Sequence, residues 1–542
     1  MERPWRWFPR ALISLSFALL PLAALGQDIP CEFDSVERIV AIGDVHGAYD
    51  RFVNLLVRTG LVDGRLRWTG GDAHLVQTGD VLDRGPDSRK TMDLLMKLEG
   101  EAEAAGGKVH ALIGNHEFWN AVGLLGYVSE KEFQVFVGRR DRELRNELGI
   151  ENLPPGALAL REAYGAEGSY GKWIRRHNAA IRIGRYVFAH GGITRETAKL
   201  GLPEINRRVR ADLDRVDVPW LERFSMSDDG PLMTRRFSIE QLTKEEILDR
   251  SAELEEVLGS LGAKTMVMAH TITFGLIEPR FDGGALLIDT GMLDIYLGGR
   301  EAALVIQNGR ALAVHPAGSV EVPKSLEGEP GRQYIEAVAA AAPSDAGLQY
   351  RLARVRMAEG RHPKAAELYQ RSGALDPKKP VPFFWRQDAA RCYEALGDLV
   401  TSRKLNTLYL NDLRRIAEAM GDEGIPLMER FARECLTLGL LTEEAWDAAR
   451  RAAKARPDDL SLQVTLAWAH LEKGDPAKAI RVLTGAVARG GDGFEAQFVL
   501  GRAHLALGAR EKALDAFRAA FSFDPNHPDV RKALAELEAG WK

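Results

Sequence analysis

The chain has 542 residues, 45% hydrophobic and 27% charged, with a formal charge of −5. That length exceeds a single core and predicts two or three domains of ordinary globular composition. The charge balance gives no electrostatic ground for a nucleic-acid partner, and past the N-terminus no apolar run is long enough to span a membrane.

Residues 1–26 read as a signal peptide. Arg3, Arg6 and Arg10 form a positive n-region, and Ala11 to Leu25 form an apolar h-region interrupted by Pro21. Ala24-Leu25-Gly26 supplies the small-x-small cleavage pattern, so Gln27 is the expected mature N-terminus. Export to the periplasm is therefore expected, with no stable membrane span after cleavage. Cys31, Cys392 and Cys435 lack any metal-finger spacing. An oxidising compartment would allow a Cys392–Cys435 bridge, but the expectation is buried thiols and no disulfide framework.

Residues 27–314 alternate short apolar runs with amphipathic stretches. Arg38 to Ile42, His74 to Gln77, Val109 to Ile113, Tyr186 to Ala189, Thr265 to Ala269 and Ala285 to Ile288 are predicted as buried strands. Tyr49 to Thr59 and Arg89 to Ala105 are predicted helices between them, and the alternation predicts an α/β architecture. A Pro/Gly-rich stretch, 315–331, reads as a linker. From 332 to 542 the strand signal vanishes and a period of 34 residues takes over. It relates Gly474 to Gly508, Ala479 to Ala513, Ala469 to Ala503 and His470 to His504. Small residues recurring at that period resemble tetratricopeptide repeats, helix pairs whose close crossings need Ala or Gly. The two histidines are then packing or surface residues.

The chemistry is concentrated in Gly43-Asp44-Val45-His46-Gly47, Gly79-Asp80-Val81-Leu82-Asp83-Arg84-Gly85 and Gly114-Asn115-His116-Glu117, each directly after a predicted strand. His190 and His270 close two more strands. Polar groups at the carboxyl ends of buried strands sit where an α/β sheet places its ligand. Buried without partners they would cost several kcal/mol each, and dications supply the partners. Carboxylate, amide oxygen and imidazole, without thiolate, suit hard-to-borderline ions. The expected assignment puts Asp44, His46 and Asp80 on one ion, and Asp80, Asn115, His190 and His270 on the other. Asp80 bridges them, and the pair activates a hydroxide for in-line attack on phosphorus. His116 is expected to protonate the leaving oxygen, with Asp83 orienting its imidazole. Arg84 offers a planar fork for phosphate oxygens, and the segment Gly230 to Arg236 offers a second arginine. His74, His110, His177, His315, His362 and His527 lack such a setting and are assigned no role.

Together GDVHG, GDVLDRG, GNHE, His190-Gly191-Gly192 and Met268-Ala269-His270 resemble the metal-dependent phosphoprotein phosphatases within the calcineurin-like phosphoesterases. Trp173-Ile174-Arg175 and Ile288-Asp289-Thr290-Gly291-Met292 are similar to the bacterial Shewanella-like branch. The resemblance covers roughly 38–305. It implies a metallophosphoesterase fold of two packed sheets flanked by helices, followed by an all-α tetratricopeptide-like solenoid. It also implies dephosphorylation of protein serine/threonine or tyrosine, the metal, catalytic and phosphate-binding roles just given, and a phosphate role for Arg235. Manganese is the first expectation for both ions, with iron, zinc or magnesium compatible. Met233 and Thr234 depart from the aromatic pair of that branch, and Asn152 to Tyr170 reads as an inserted lid or substrate-facing loop. The favoured reading is an exported phosphatase acting on phosphoprotein, its repeats recruiting a protein partner or substrate. The alternatives are a dinucleoside polyphosphate hydrolase, for which GNHD would have been the expected motif, and a repeat scaffold with an inactive phosphatase domain.

Overall fold

A computed structural model of the protein describes residues 29–215, 217–239, 242–273, 275–295, 299–375, 385–487, 493–525 and 527–539. The expected signal peptide, 1–26, and the expected new N-terminus at Gln27 lie outside the described residues. Among the described residues no helix is long and apolar enough to cross a membrane.

Among the described residues, twelve strands build two mixed sheets. In chain order they are β1 (Glu32–Phe33), β2 (Arg38–Ile42), β3 (His74–Gln77), β4 (Lys108–Ala111), β5 (Ala180–Ile183) and β6 (Tyr186–Ala189). After these come β7 (Thr265–Met268), β8 (Glu278–Arg280), β9 (Ala285–Leu287), β10 (Ala303–Gln307), β11 (Arg310–His315) and β12 (Gly318–Glu321). One sheet runs β1-β5-β6-β7-β9-β8 and the other β12-β11-β10-β2-β3-β4. Each contains a parallel run, β6-β7-β9 at the centre of the first and β2-β3-β4 at one end of the second. Parallel strands need crossovers, which put helices on the outer faces. On the β2-β3-β4 side these include α1 (Tyr49–Arg58), α2 (Ser88–Ala104) and α3 (Asn115–Ala121).

The period of two is legible in the packing. Ile39, Ala41, Val76, Leu304 and Ile306 join one core, shared with β6 and β7. Val40, Ile42, Leu75, Ala303 and Val305 join the other, shared with α1, α2 and α3. Burying both faces explains why these strands are nearly continuous hydrophobic runs.

Between β4 and β5 lie α4 (Glu130–Val135), α5 (Arg139–Leu148), α6 (Ala157–Tyr164) and α7 (Ser169–Ile174). Leu160, Tyr164, Tyr170 and Trp173 from this stretch are buried in the α1–α3 core. The segment 152–170 is therefore anchored to the fold by one face of its helices. The chain continues through α8 (Arg195–Ala198), α9 (Gly201–Asp214) and α10 (Lys244–Ser260).

The expected linker, 315–331, is corrected. β10 and β11 form a hairpin around Asn308 and Gly309, both at positive φ, and Pro316-Ala317 make the next tight turn into β12. Pro and Gly here mark hairpin turns at a sheet edge. Two helices follow, α11 (Gly328–Ala341) and α12 (Ala346–Ala358). Tyr334, Ile335, Val338, Ala339 and Leu348 from them are buried in the core of the β6-β7-β9 sheet. The first compact unit takes in the residues up to Val355 together with Ala374 and Leu375, and Arg356 to Gly373 belong to the second.

The second unit is all helical. Its turns place Gly360, Gly397, Gly439, Gly474 and Gly508 at φ of 72°, 80°, 61°, 78° and 72°, a region where a Cβ is strained. Ala469, Ala479, Ala503 and Ala513 are fully buried, which explains the 34-residue spacing of small residues. The helix Leu399–Ala419 is 21 residues long, and its length throws the 405–456 stretch out of phase. Cys31, Cys392 and Cys435 are buried free thiols, so the Cys392–Cys435 bridge does not form.

Candidate metal centre and active site

Five of the parallel strands end in residues given a chemical role by sequence, and the sixth, β9, ends in Asp289, which lies in a motif of resemblance but was given no role. Asp44 and His46 follow β2, Asp80 and Asp83 follow β3, and Asn115 and His116 follow β4 by opening α3. His190 follows β6 and His270 follows β7, and Asp289 follows β9. His46, Asp80, Asp83, Arg84 and His270 all have positive φ, between 48° and 71°. Such backbone costs about 1–3 kcal/mol per residue and collects at functional sites.

One carboxylate bears the strain and is heavily held. Glu117 accepts hydrogen bonds from the backbone N–H of Asp80 (2.7 Å), Val81 (2.9 Å), Leu82 (3.3 Å) and Gly114 (2.9 Å). It thereby fixes the Asp80 loop to the start of α3. This is a structural duty for the last residue of GNHE that the motif alone did not reveal.

The six expected ligands converge. Asp80 Oδ2 lies 3.8 Å from His46 Nε2, 3.7 Å from His116 Nε2 and 3.4 Å from His190 Nε2. His190 Nε2 is also 2.8 Å from Asn115 Oδ1 and 3.1 Å from His270 Nδ1. Asp44 Oδ2 stands 3.8 Å from His46 Nε2, and its Oδ1 accepts the His270 N–H at 3.3 Å. Ligand atoms of His46, Asp80 and His116, and separately of Asp80, His190 and His270, lie within 4.8 Å of one another. Asp80 belongs to both groups.

The donor chemistry fits cations. His46 Nδ1 faces the Leu82 carbonyl (2.8 Å) and His190 Nδ1 the Thr78 carbonyl (3.0 Å), and a carbonyl only accepts. Both Nδ1 atoms therefore carry a proton, and the Nε2 atoms face Asp80 and Asn115 oxygens, as in imidazole ligands held from behind by carbonyls. Burial works against a charged His190, but Asp80 outweighs it and holds that imidazole above the usual histidine value. His270 Nε2 is buried with no hydrogen-bond partner. Burial holds His46 and His270 well below the usual histidine range, so they stay neutral as ligands must. Burial also works against an ionised Asp80, but His190 and His116 outweigh it and hold that carboxyl well below its ordinary range. Burial, with Asp289 and Asp80 adding, pushes Asp44 well above it.

His116 is set apart by its partners. Its Nδ1 donates to Asp83 Oδ2 at 2.6 Å, Asn120 Nδ2 donates to Asp83 Oδ1 at 2.9 Å, and an Arg84 guanidinium nitrogen lies 3.2 Å from its Nε2. Arg84 also stands 5.6 Å over the Tyr127 ring, which stacks on Trp119. Trp220 meets Trp119 edge-on. Trp119 and Tyr127 also pack edge-on against the His116 ring. Arg235 donates to the His270 carbonyl (2.8 Å) and Thr271 Oγ1 (2.6 Å) from an exposed position on the other side of the site.

Sequence reasoning quoted Glu117 and Asp289 within motifs but gave them no role, and it missed Asn120 and Tyr127. Asp289 carried a usable signal, being an acidic residue just past a predicted buried strand. His74 and His110 pair with each other (3.0 Å), and His177 pairs with Glu99 (2.6 Å), away from the centre.

The family model for calcineurin-like phosphoesterases matches residues 37–273, and that for tetratricopeptide repeats matches 331–380 and 464–528. Shewanella-like protein phosphatase 2 of Arabidopsis thaliana is 33% identical over 316 residues, 52% of this chain and 78% of the relative. Shewanella-like protein phosphatase 1 of Plasmodium berghei is 28% identical over 273 residues, 48% of this chain and 69% of the relative. A solved cold-active protein-tyrosine phosphatase of a psychrophilic Shewanella species is 28% identical, with a TM-score of 0.44 over 56% of this chain and 86% of that one. A 33% match across more than three quarters of a relative fixes the family: the chain belongs to the calcineurin-like metallophosphoesterases and is a phosphatase of that family that carries tetratricopeptide repeats.

Proposed function

We propose that this phosphatase is exported to the periplasm and removes phosphoryl groups from phosphoproteins, using two divalent cations that share Asp80. The observation that carries the reading is the convergence of Asp44, His46, Asp80, Asn115, His190 and His270 at the ends of the parallel strands, with Asp80 common to both candidate ligand groups. Asp44, His46 and Asp80 would hold one cation, and Asp80, Asn115, His190 and His270 the other. Manganese suits this oxygen and imidazole set, and iron, zinc and magnesium are its competitors. When bound, such cations acidify water toward a nucleophile and neutralise phosphoryl charge.

The chain's own groups do the rest. Arg84 presents its fork beside His116, where it can take two phosphoryl oxygens at once. Arg235 approaches from the His270 side and adds a second cation to the rim. Asp83, itself held by Asn120, fixes the proton on His116 Nδ1 and leaves Nε2 to face the substrate. A proton on Nε2 passes to the ester oxygen as the phosphorus–oxygen bond breaks, so the leaving group departs as an alcohol or phenol.

The relatives named as protein phosphatases support a phosphoserine, phosphothreonine or phosphotyrosine substrate. The repeats would recruit the protein partner or substrate segment. Residues 1–26 support export. The test is a parallel assay of the mature protein with Mn²⁺ against phosphopeptides of all three types, an aryl phosphate and a dinucleoside tetraphosphate. The reading predicts turnover of the monoesters, and preference for the dinucleotide would contradict it. Fusing the first thirty residues to a reporter checks export, which cytoplasmic retention would refute.

A further inference from the structure

The helix pair α11–α12 follows the two sheets, yet it grips the loops that carry the proposed metal ligands. Tyr334 donates to the Ile277 carbonyl (3.0 Å), and Arg351 pairs with Glu278 (2.8 Å), both on the segment leading from His270 to β8. Asp345, in the turn between α11 and α12, forms a largely buried ion pair with Arg300 and caps α12 by accepting the Leu348 N–H (2.8 Å). The stem of Arg300 lies across Gly275, where a Cβ would sit 2.4 Å from Arg300 Cδ.

From Arg300 the contacts run straight to the site. Its N–H donates to the Gly291 carbonyl (2.9 Å), and its carbonyl accepts the Thr290 hydroxyl (2.8 Å). The Gly291 N–H donates to Asp289 Oδ1 (3.0 Å), and Asp289 lies against the strand end that carries Asp44. The two backbones touch here: a Cβ on Gly43 would lie 2.4 Å from the Ile288 carbonyl oxygen and 2.9 Å from Asp289 Cα. The Asp289 carbonyl also accepts the Thr273 N–H (2.8 Å), which ties in the segment after His270.

We propose that Asp289 is a positioning residue for Asp44 and that the Arg300–Asp345 pair holds it in register, making α11–α12 part of the catalytic apparatus. The inference rests on Asp44 being a metal ligand. Side chains that orient a ligand from behind typically change metal affinity 10–100-fold when altered, whereas a pair that only stiffens the fold changes the melting temperature alone.

The experiment uses the full chain, stripped with chelator, with Mn²⁺ affinity read by equilibrium dialysis beside kcat, KM and thermal midpoint on an aryl phosphate. Asp345→Asn is expected to weaken binding of the more labile ion about tenfold. It should also lower kcat at limiting Mn²⁺ and change KM less than about twofold. Asp345→Glu is expected to restore part of the affinity. Thr290→Val removes one hydroxyl contact without removing a charge, and it is expected to shift affinity in the same direction; it decides the matter should Asp345→Asn not fold. Affinity unchanged in the folded variants, whatever their melting temperature, overturns the inference. If the unmodified chain binds no Mn²⁺, it is the metal reading under Asp44 that fails.

Discussion

Glu117 accepts four backbone N–H groups, two on each carboxylate oxygen, and replacing it with glutamine removes half of them. Oε1 takes Val81 and Leu82, and Oε2 takes Asp80 and Gly114. In Glu117→Gln one oxygen becomes an NH₂ group, which must face two N–H donors in a fully buried site. A hydrogen bond to a charged group contributes about 1.5–3 kcal/mol, so losing two costs roughly 3–6 kcal/mol. That is a large share of the roughly 5–15 kcal/mol by which domains are stable. The loop so released includes Asp80, whose φ of 58° is strained, so the proposed bridging ligand should drift as well. Urea unfolding followed by tryptophan fluorescence measures the first effect, and kcat on an aryl phosphate measures the second, with a fall of about 10–100-fold expected. A stability loss under about 1 kcal/mol with unaltered turnover would refute the assignment of Glu117 as the clamp on this loop.

Two further outcomes follow from single contacts. His116→Asn should retain bound Mn²⁺ while kcat falls about 10²–10⁴-fold. The fall should be smaller for aryl esters, whose leaving groups need the proton less, and equal losses on alkyl and aryl phosphates would remove His116 from the acid role. His315 on β11 is buried, its Nε2 has no hydrogen-bond partner, and burial pushes its pKa down to about 4. The unfolded chain binds that proton near pH 6.5 and the folded chain does not, so stability is lost as pH falls from about 6.5 to about 4, by up to about 3 kcal/mol. His315→Leu should abolish that component, flattening urea midpoints between pH 7 and 4.5. An equally steep acid decline in the variant would show that other groups cause it.

The sequence carried the site better than the surroundings of the site. Asp44, His46, Asp80, Asn115, His190 and His270 could be read because each follows a strand buried on both faces, and the strand signal and the polar residue reinforce each other. Glu117 could not be recognised as a clamp because its partners are backbone groups of a loop 35 to 37 residues away, and backbone N–H groups leave no mark in a sequence. Tyr127 and Trp119 are ordinary aromatic residues until the fold sets them beside Arg84. The error over 315–331 had a different origin. Proline and glycine mark any abrupt reversal, and here they turn strands β11 and β12 at a sheet edge. The Asn308-Gly309 pair between two apolar runs was a legible hairpin signal. Helices α11 and α12 share the Ala-rich composition of the repeats and fall largely within the repeat match, yet Tyr334, Ile335 and Val338 pack into the catalytic core, a dual membership that composition does not reveal.

The central claim is that two cations share one carboxylate, and metal content tests it most directly. Chelator-stripped protein, reloaded with Mn²⁺ and dialysed, should hold two ions per chain by elemental analysis, and Asp80→Asn, keeping size while losing the bridging charge, should hold fewer than one. Two ions retained by a folded Asp80→Asn variant would contradict the account, because Asp80 could not then be the group on which both sites depend.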